Sequence, residues 1–278
     1  MPRGLNRSGD FRNGTPITLP HNFGNPVTLP HDFGNDVTWT PTPTQFGNPV
    51  DWVVSPAHFG NVIAPSEVSL VASTAASTNG SFAGTVTTNP ISSLGADFLV
   101  AVVCSYGGTF VVSDSAGNLW TPLGVFFPSN RTTPQIFYCS APTTSSVATF
   151  TATVTGGSEV AIAVAAFSGL QTSSDPYEAG TNKFPNSTNP DAPVSAGAMT
   201  PASVGDLLIG GFGGILINQP VTINSGFSIP DTGGFGSFAV AALAWMTSGS
   251  TSPVNPTWTP TAPHDGFDAA TCAAFAKA

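Results

Sequence analysis

The chain has 278 residues, a formal net charge of −9 and only 8% charged residues, against roughly 25% in an ordinary soluble domain. Three of its six basic residues (Arg3, Arg7 and Arg12) crowd the N-terminus and the rest is acidic, which argues against nucleic acid as a ligand of the body. No run approaches the roughly 18 apolar residues of a membrane span, and no apolar segment follows Met1–Arg12 as a signal peptide would require. With 30 Gly and 26 Pro beside abundant Val, Thr and Phe, the composition points to an all-β chain with many turns.

The first segment in chain order, residues 1–65, is written as an extended arm. Between Thr15 and Asn61 one phrase occurs four times: an apolar and Thr-rich run, a proline, often a histidine, then Phe-Gly-Asn. The four endings are Phe23-Gly24-Asn25, Phe33-Gly34-Asn35, Phe46-Gly47-Asn48 and Phe59-Gly60-Asn61, and Trp39 and Trp52 stand in the runs before the last two. Pro16, Pro20, Pro26, Pro30, Pro41, Pro43, Pro49 and Pro56 forbid helix by fixing φ and removing donors. Gly-Asn after each Phe tolerates the positive φ of a sharp turn. The step from Phe23 to Phe33, Phe46 and Phe59 is too short for a solenoid unit with a core of its own. Such a segment buries too little apolar surface to offset its ordering entropy, so it gains order only against a partner. At ~3.3 Å per residue a step reaches at most roughly 33–43 Å, a spacing suited to equivalent sites on neighbouring subunits. The arm residues named here are therefore the candidate partner-binding set; a degenerate linker grown by slippage is the plainer alternative.

From residue 66 the pattern changes to short β runs between turn clusters. Strands are predicted near Phe82–Thr88, Asp97–Cys104, Phe110–Ser113, Gln135–Ser140, Ala148–Thr155 and Val160–Phe167. A second set follows near Val194–Met199, Asp206–Phe212, Val221–Asn224, Phe238–Met246, Thr257–Thr259 and Asp268–Phe275. The sets answer each other in order and at a nearly constant offset: Asp97 with Asp206, Gly117 with Gly226, Tyr138 with Trp245, Phe150 with Trp258, Phe167 with Phe275. Residues 66–278 are thus expected to be an internally duplicated antiparallel β-sandwich of jelly-roll type, its halves 66–170 and 171–278. The expected arrangement is one two-sheet sandwich, with two separate sandwiches as the alternative. Leu170–Pro193, rich in Pro and Asn, reads as the crossover between halves.

Three phrases together carry a resemblance: Gly95-Ala-Asp-Phe-Leu-Val-Ala-Val-Val, then Val-Ser-Asp-Ser-Ala-Gly-Asn-Leu-Trp-Thr at 112–121, then Ala-Val-Ala-Ala-Phe-Ser-Gly-Leu at 163–170. They resemble a domain of phage virion structural proteins and bacterial surface proteins. The resemblance covers about Phe82–Leu170, excludes the arm, and implies a β-sandwich without enzymatic activity. The second half lacks the Ser-Asp-Ser-Ala-Gly-Asn turn and has Asn224-Ser-Gly-Phe instead.

Local motifs for chemistry are sparse. His21, His31 and His58 sit at or near the Phe of three arm phrases, but Gln45 takes that place in the third; no zinc spacing exists, and no metal or cofactor is expected. His264 and Asp265 form a polar turn without a nucleophile elbow. Asp114–Asn118 reads as a plain Asx turn with too few side-chain oxygens for calcium. Cys104, Cys139 and Cys272 lack CxxC spacing and read as buried strand thiols. Glu159, Glu178, Asp175 and Asp231 are the carboxylates that a glycosidase-like pair would draw on. Gly210–Gly214 reads as a bend or exposed rim, without the Lys of a phosphate loop. Trp120, Phe126, Phe127, Tyr177 and Phe184 are candidates for stacking on sugars or for core and interface packing.

These readings combine into one expectation: a non-enzymatic structural protein of a tailed-phage virion, a head decoration, head fibre or tail-associated fibre protein. It would be held to capsid or tail subunits by its arm, as a homo-oligomer with the sandwich outward and a host surface glycan as a candidate partner, assembled in the host cytoplasm and exposed outside the cell. The alternative is a glycan-binding or adhesion module of a bacterial surface. No catalytic residues are expected in either case.

Overall fold

The computed structural model describes residues 67–78, 83–124, 132–183, 192–214, 221–224, 226–231, 239–260 and 268–278. Among them the chain forms fifteen strands and no helix. The first half holds β1 (Ser69–Ser77), β2 (Thr85–Thr87), β3 (Phe98–Tyr106), β4 (Thr109–Asp114), β5 (Thr121–Pro122), β6 (Thr132–Ser140), β7 (Phe150–Thr155) and β8 (Ser158–Ser168). The second holds β9 (Tyr177–Lys183), β10 (Val194–Ser195), β11 (Leu207–Gly214), β12 (Val221–Ile223), β13 (Val240–Thr247), β14 (Thr257–Pro260) and β15 (Ala269–Phe275).

All pairings are antiparallel. They build four sheets in the orders β1-β8-β3-β6-β5, β2-β7-β4, β13-β11-β15-β9 and β10-β14-β12. Strand β3 shows how they stack. Its even residues Phe98, Val100, Val102 and Cys104 enter one core with Leu207, Ile209, Leu243 and Phe275 of the second half. Its odd residues Leu99, Ala101 and Val103 enter another with Phe110, Val112, Phe150 and Val154 of the small sheet. A third core lies under the other small sheet, where Leu208, Phe212 and Cys272 meet Val194, Val221 and Trp258. The order of layers is therefore small sheet, large sheet, large sheet, small sheet.

The expected single two-sheet sandwich is corrected to four sheets, and the physical reason is on the strands themselves. A strand solvated on one face alternates apolar and polar residues, whereas one buried on both faces reads as a continuous apolar run. β3, β8, β11 and β15 are of the second kind: every described side chain of β11 and β15 is buried, and in β3 all but Tyr106. Each of the larger apolar side chains contributes about 1.5–3 kcal/mol by burial. The small sheets do alternate, with Thr85, Thr87, Val111 and Ser113 outward and Val86, Phe110 and Val112 inward.

Two further expectations are revised. Leu170–Pro193 contains β9, which pairs with β15 along Tyr177–Lys183. The run Gly210–Gly214, expected as a bend or rim, lies in β11 between β13 and β15 and is wholly buried. There the absent side chains create room: a Cβ on Gly211 would stand 2.6 Å from Thr271 Cγ2 and 3.2 Å from Val102, and one on Gly213 2.5 Å from Cys104 Sγ. The glycines let the two large sheets close on each other.

The halves run through their sheets in corresponding order. β1-β8-β3-β6 has its counterpart in β9-β15-β11-β13, and β2-β7-β4 in β10-β14-β12. Matched side chains make matched contacts. Tyr138 lies 5.3 Å from Phe275 between ring centroids, and Trp245 lies 5.2 Å from Phe167. Asp97 accepts from the N–H of Gly169 at 2.8 Å just after β8, and Asp206 from the N–H of Lys277 at 3.3 Å just after β15.

Candidate functional site

The partner-binding candidates Phe23, Gly24, Asn25, Phe33, Gly34, Asn35, Trp39, Phe46, Gly47, Asn48, Trp52, Phe59, Gly60 and Asn61 lie outside the described residues, as do His264, Asp265, Phe126, Phe127 and Phe184. The body places the remaining candidates as follows.

Asp114 closes its turn from within. Oδ1 accepts from the N–H of Ala116 at 2.9 Å and of Asn118 at 3.2 Å, while Oδ2 accepts from Trp120 Nε1 at 2.8 Å. Gly117 supplies the left-handed residue, φ 74°, that an Asx-type turn requires. Asn118 is bonded both ways to the backbone of Thr143. With its carboxylate so occupied, the loop is a structural lock. Trp120 is held half-buried by the same bond, edge-on to Phe150 at 6.0 Å.

The three thiols are free and buried on β3, β6 and β15. Burial raises the pKa of all three. For Cys104 the buried Asp268 carboxylate adds to it, and Cys139 is pushed up to about 11 by burial and then by Asp114. Thiols held protonated and covered are poor nucleophiles.

Of the four carboxylates on which a glycosidase-like pair would draw, Glu178 and Asp175 each have a partner outside that set. Glu178 meets Asp206, a partner that sequence reasoning does not single out: Glu178 Oε2 accepts from the N–H of Ala202 at 3.1 Å, and its carboxyl hydrogen-bonds to Asp206. Desolvation first, then this neighbour, raises the Glu178 pKa. Glu159 is buried at the start of β8 with a left-handed φ of 57°, and desolvation raises its pKa too.

Asp175 meets Tyr138. The phenol donates to Asp175 Oδ1 at 2.8 Å, and the N–H of Tyr177 donates to the same oxygen at 3.0 Å. Burial and this carboxylate push the Tyr138 pKa up to about 12, while the Thr121 hydroxyl bonded to it acts in the opposite sense. The rings of Tyr138 and Tyr177 stack at 6.4 Å and 23°, and both rest on Phe275. Beside this group an open cleft of about 360 Å³ is lined by Leu119, Thr121, Tyr138, Ser140, Thr172 and Asp175, among others. An accessible carboxylate, hydroxyls and an exposed apolar side chain share this concavity.

Among the described residues no group of three or more His, Cys, Asp or Glu side chains is placed to hold a metal ion, and no helix is long and apolar enough to cross a membrane. Comparison of the chain with protein-family models, with curated proteins and with solved structures finds no match.

Proposed function

We propose that the chain is a non-enzymatic structural protein of a tailed-phage virion, anchored by its N-terminal arm to repeating capsid or tail subunits. The observation that carries this reading is the fourfold Phe-Gly-Asn phrase in a proline-broken segment with no means of building a core. Each Phe fills an equivalent pocket on a neighbour, burying apolar area worth up to about 1.5–3 kcal/mol. The Val-Thr-Leu and Val-Thr-Trp runs between them add strands to exposed sheet edges. Linked weak sites then act at high effective concentration, so firm attachment follows from modest contacts.

The body, in the same proposal, is a duplicated jelly roll. The coincident strand orders, the paired aromatic contacts and the two aspartate clamps support this reading, since the orders 1-8-3-6 and 2-7-4 are those of two interlocked Greek keys. A sandwich with covered thiols and short outer strands suits a particle surface, where stability matters more than turnover. Deletion of Pro16–Asn61 tests the anchoring: the truncated protein should fold but fail to co-purify with particles. Incorporation at the level of the full chain would remove the arm's role.

A further inference from the structure

We propose that the cleft beside Asp175 is a binding site for a neutral sugar. This goes beyond the anchoring role and does not depend on it, because every group involved belongs to the body. The cleft's volume of about 360 Å³ falls in the range of small-molecule sites. Asp175 is fixed there by the two donors on Oδ1, while Oδ2 accepts no hydrogen bond among the described residues. A carboxylate oriented in this way presents a strong acceptor to a hydroxyl, and charge-assisted bonds of that kind are about twice as strong as neutral ones.

The rest of the lining selects an alcohol over other ligands. Thr172 can both give and take hydrogen bonds, and Ser140 and Thr121, whose protons go to the carbonyl of Gln171 and to Tyr138, keep oxygens that accept from the hydroxyls of a sugar. The negative charge disfavours phosphorylated and acidic sugars. Leu119, 89% exposed at the rim, offers an apolar surface for the C–H face of a ring. The fold itself does not require the cleft. In the register that relates the halves, Tyr138 answers to Trp245, Tyr177, opposite Phe275, answers to Leu70, opposite Phe167, and Asp175 answers to Val68. Trp245 carries no hydroxyl with which to hold a carboxylate, although its backbone bridge to Ser228 repeats the pairing of Tyr138 with Thr121. The departure from the repeat coincides with the cleft.

The test uses the full chain and a panel of glucose, galactose, mannose, N-acetylglucosamine and rhamnose at millimolar concentration, read by saturation-transfer difference NMR. At least one sugar should show saturable transfer, and its glucuronic- or phosphate-bearing analogue should not. Asp175→Asn, which keeps an acceptor for Tyr138, should weaken binding about tenfold or more. Leu119→Ser, at an exposed site, should weaken it with an unchanged melting temperature. Absence of saturable transfer from every sugar, or binding that survives both substitutions, overturns the assignment. Failure here leaves particle incorporation intact, so it is distinguishable from failure of the anchoring.

Discussion

Replacing Gly213 by alanine puts a methyl where the two large sheets touch. The added carbon would lie 2.5 Å from Cys104 Sγ and 3.1 Å from Cβ and Cδ of Pro134. Comfortable carbon contacts begin near ~3.5 Å, so the sheets must part by about 1 Å at a point buried on both sides. Overpacking of this kind costs about 1–3 kcal/mol. In a body of this size each kcal/mol lowers the melting temperature by about 2–4 °C. Urea and thermal unfolding of Gly213→Ala measure the loss. Gly124→Ala, whose Cβ meets nothing within 4 Å, serves as control and should stay within about 0.5 kcal/mol. Because sulfur is the nearest obstacle, Cys104→Ala should relieve part of the penalty, with a coupling of about 0.5 kcal/mol or more in the double-mutant cycle. A Gly213→Ala protein as stable as the control, or a cycle without coupling, would refute the close approach of the sheets.

Asp114→Ala removes the acceptor of two backbone N–H groups and of the Trp120 indole. It should cost about 2 kcal/mol or more and shift the tryptophan emission, with Asp114→Asn intermediate; an unchanged denaturation midpoint would contradict the lock. Glu178 has a folded pKa above its unfolded one, so its contribution is present below the unfolded value and is lost as pH rises through the folded one. Glu178→Gln should therefore gain stability relative to wild type as pH is raised from about 4 towards neutrality. A difference in melting temperature that stays flat across that window would show that the Asp206 contact carries no linkage.

How much of this is readable from the chain alone differs from element to element. β3, β8, β11 and β15 announce themselves as apolar runs, and the Asp114 turn by its Asp, Gly and Asn. Tyr138, Trp245, Phe167 and Phe275, matched by spacing, make equivalent ring contacts. β1 escapes because Ser69–Ser77 is built from small and hydroxylic residues; its place beside β8 comes from pairing, which a local pattern does not record. β9 is hidden in a stretch that reads as a crossover for the same reason. The number of layers escapes too, since a run buried on both faces does not say what covers the second face. Asp175 with Tyr138 and Glu178 with Asp206 join positions far apart in the chain, and no spacing rule brings them together.

The core shared by Phe98, Val102, Ile209, Leu243 and Phe275 leaves each half without an interior that it owns outright. Pulling one half away would wet the other, so loss of structure in either spreads to both and the body behaves as one cooperative unit. Mutation is constrained in the same way: a substitution on β3 is judged by β11. The two halves are thus obliged to change together where they face each other, and the cleft beside Asp175 opens at the edge of that contact, where Tyr138 of the first half meets Asp175 of the second.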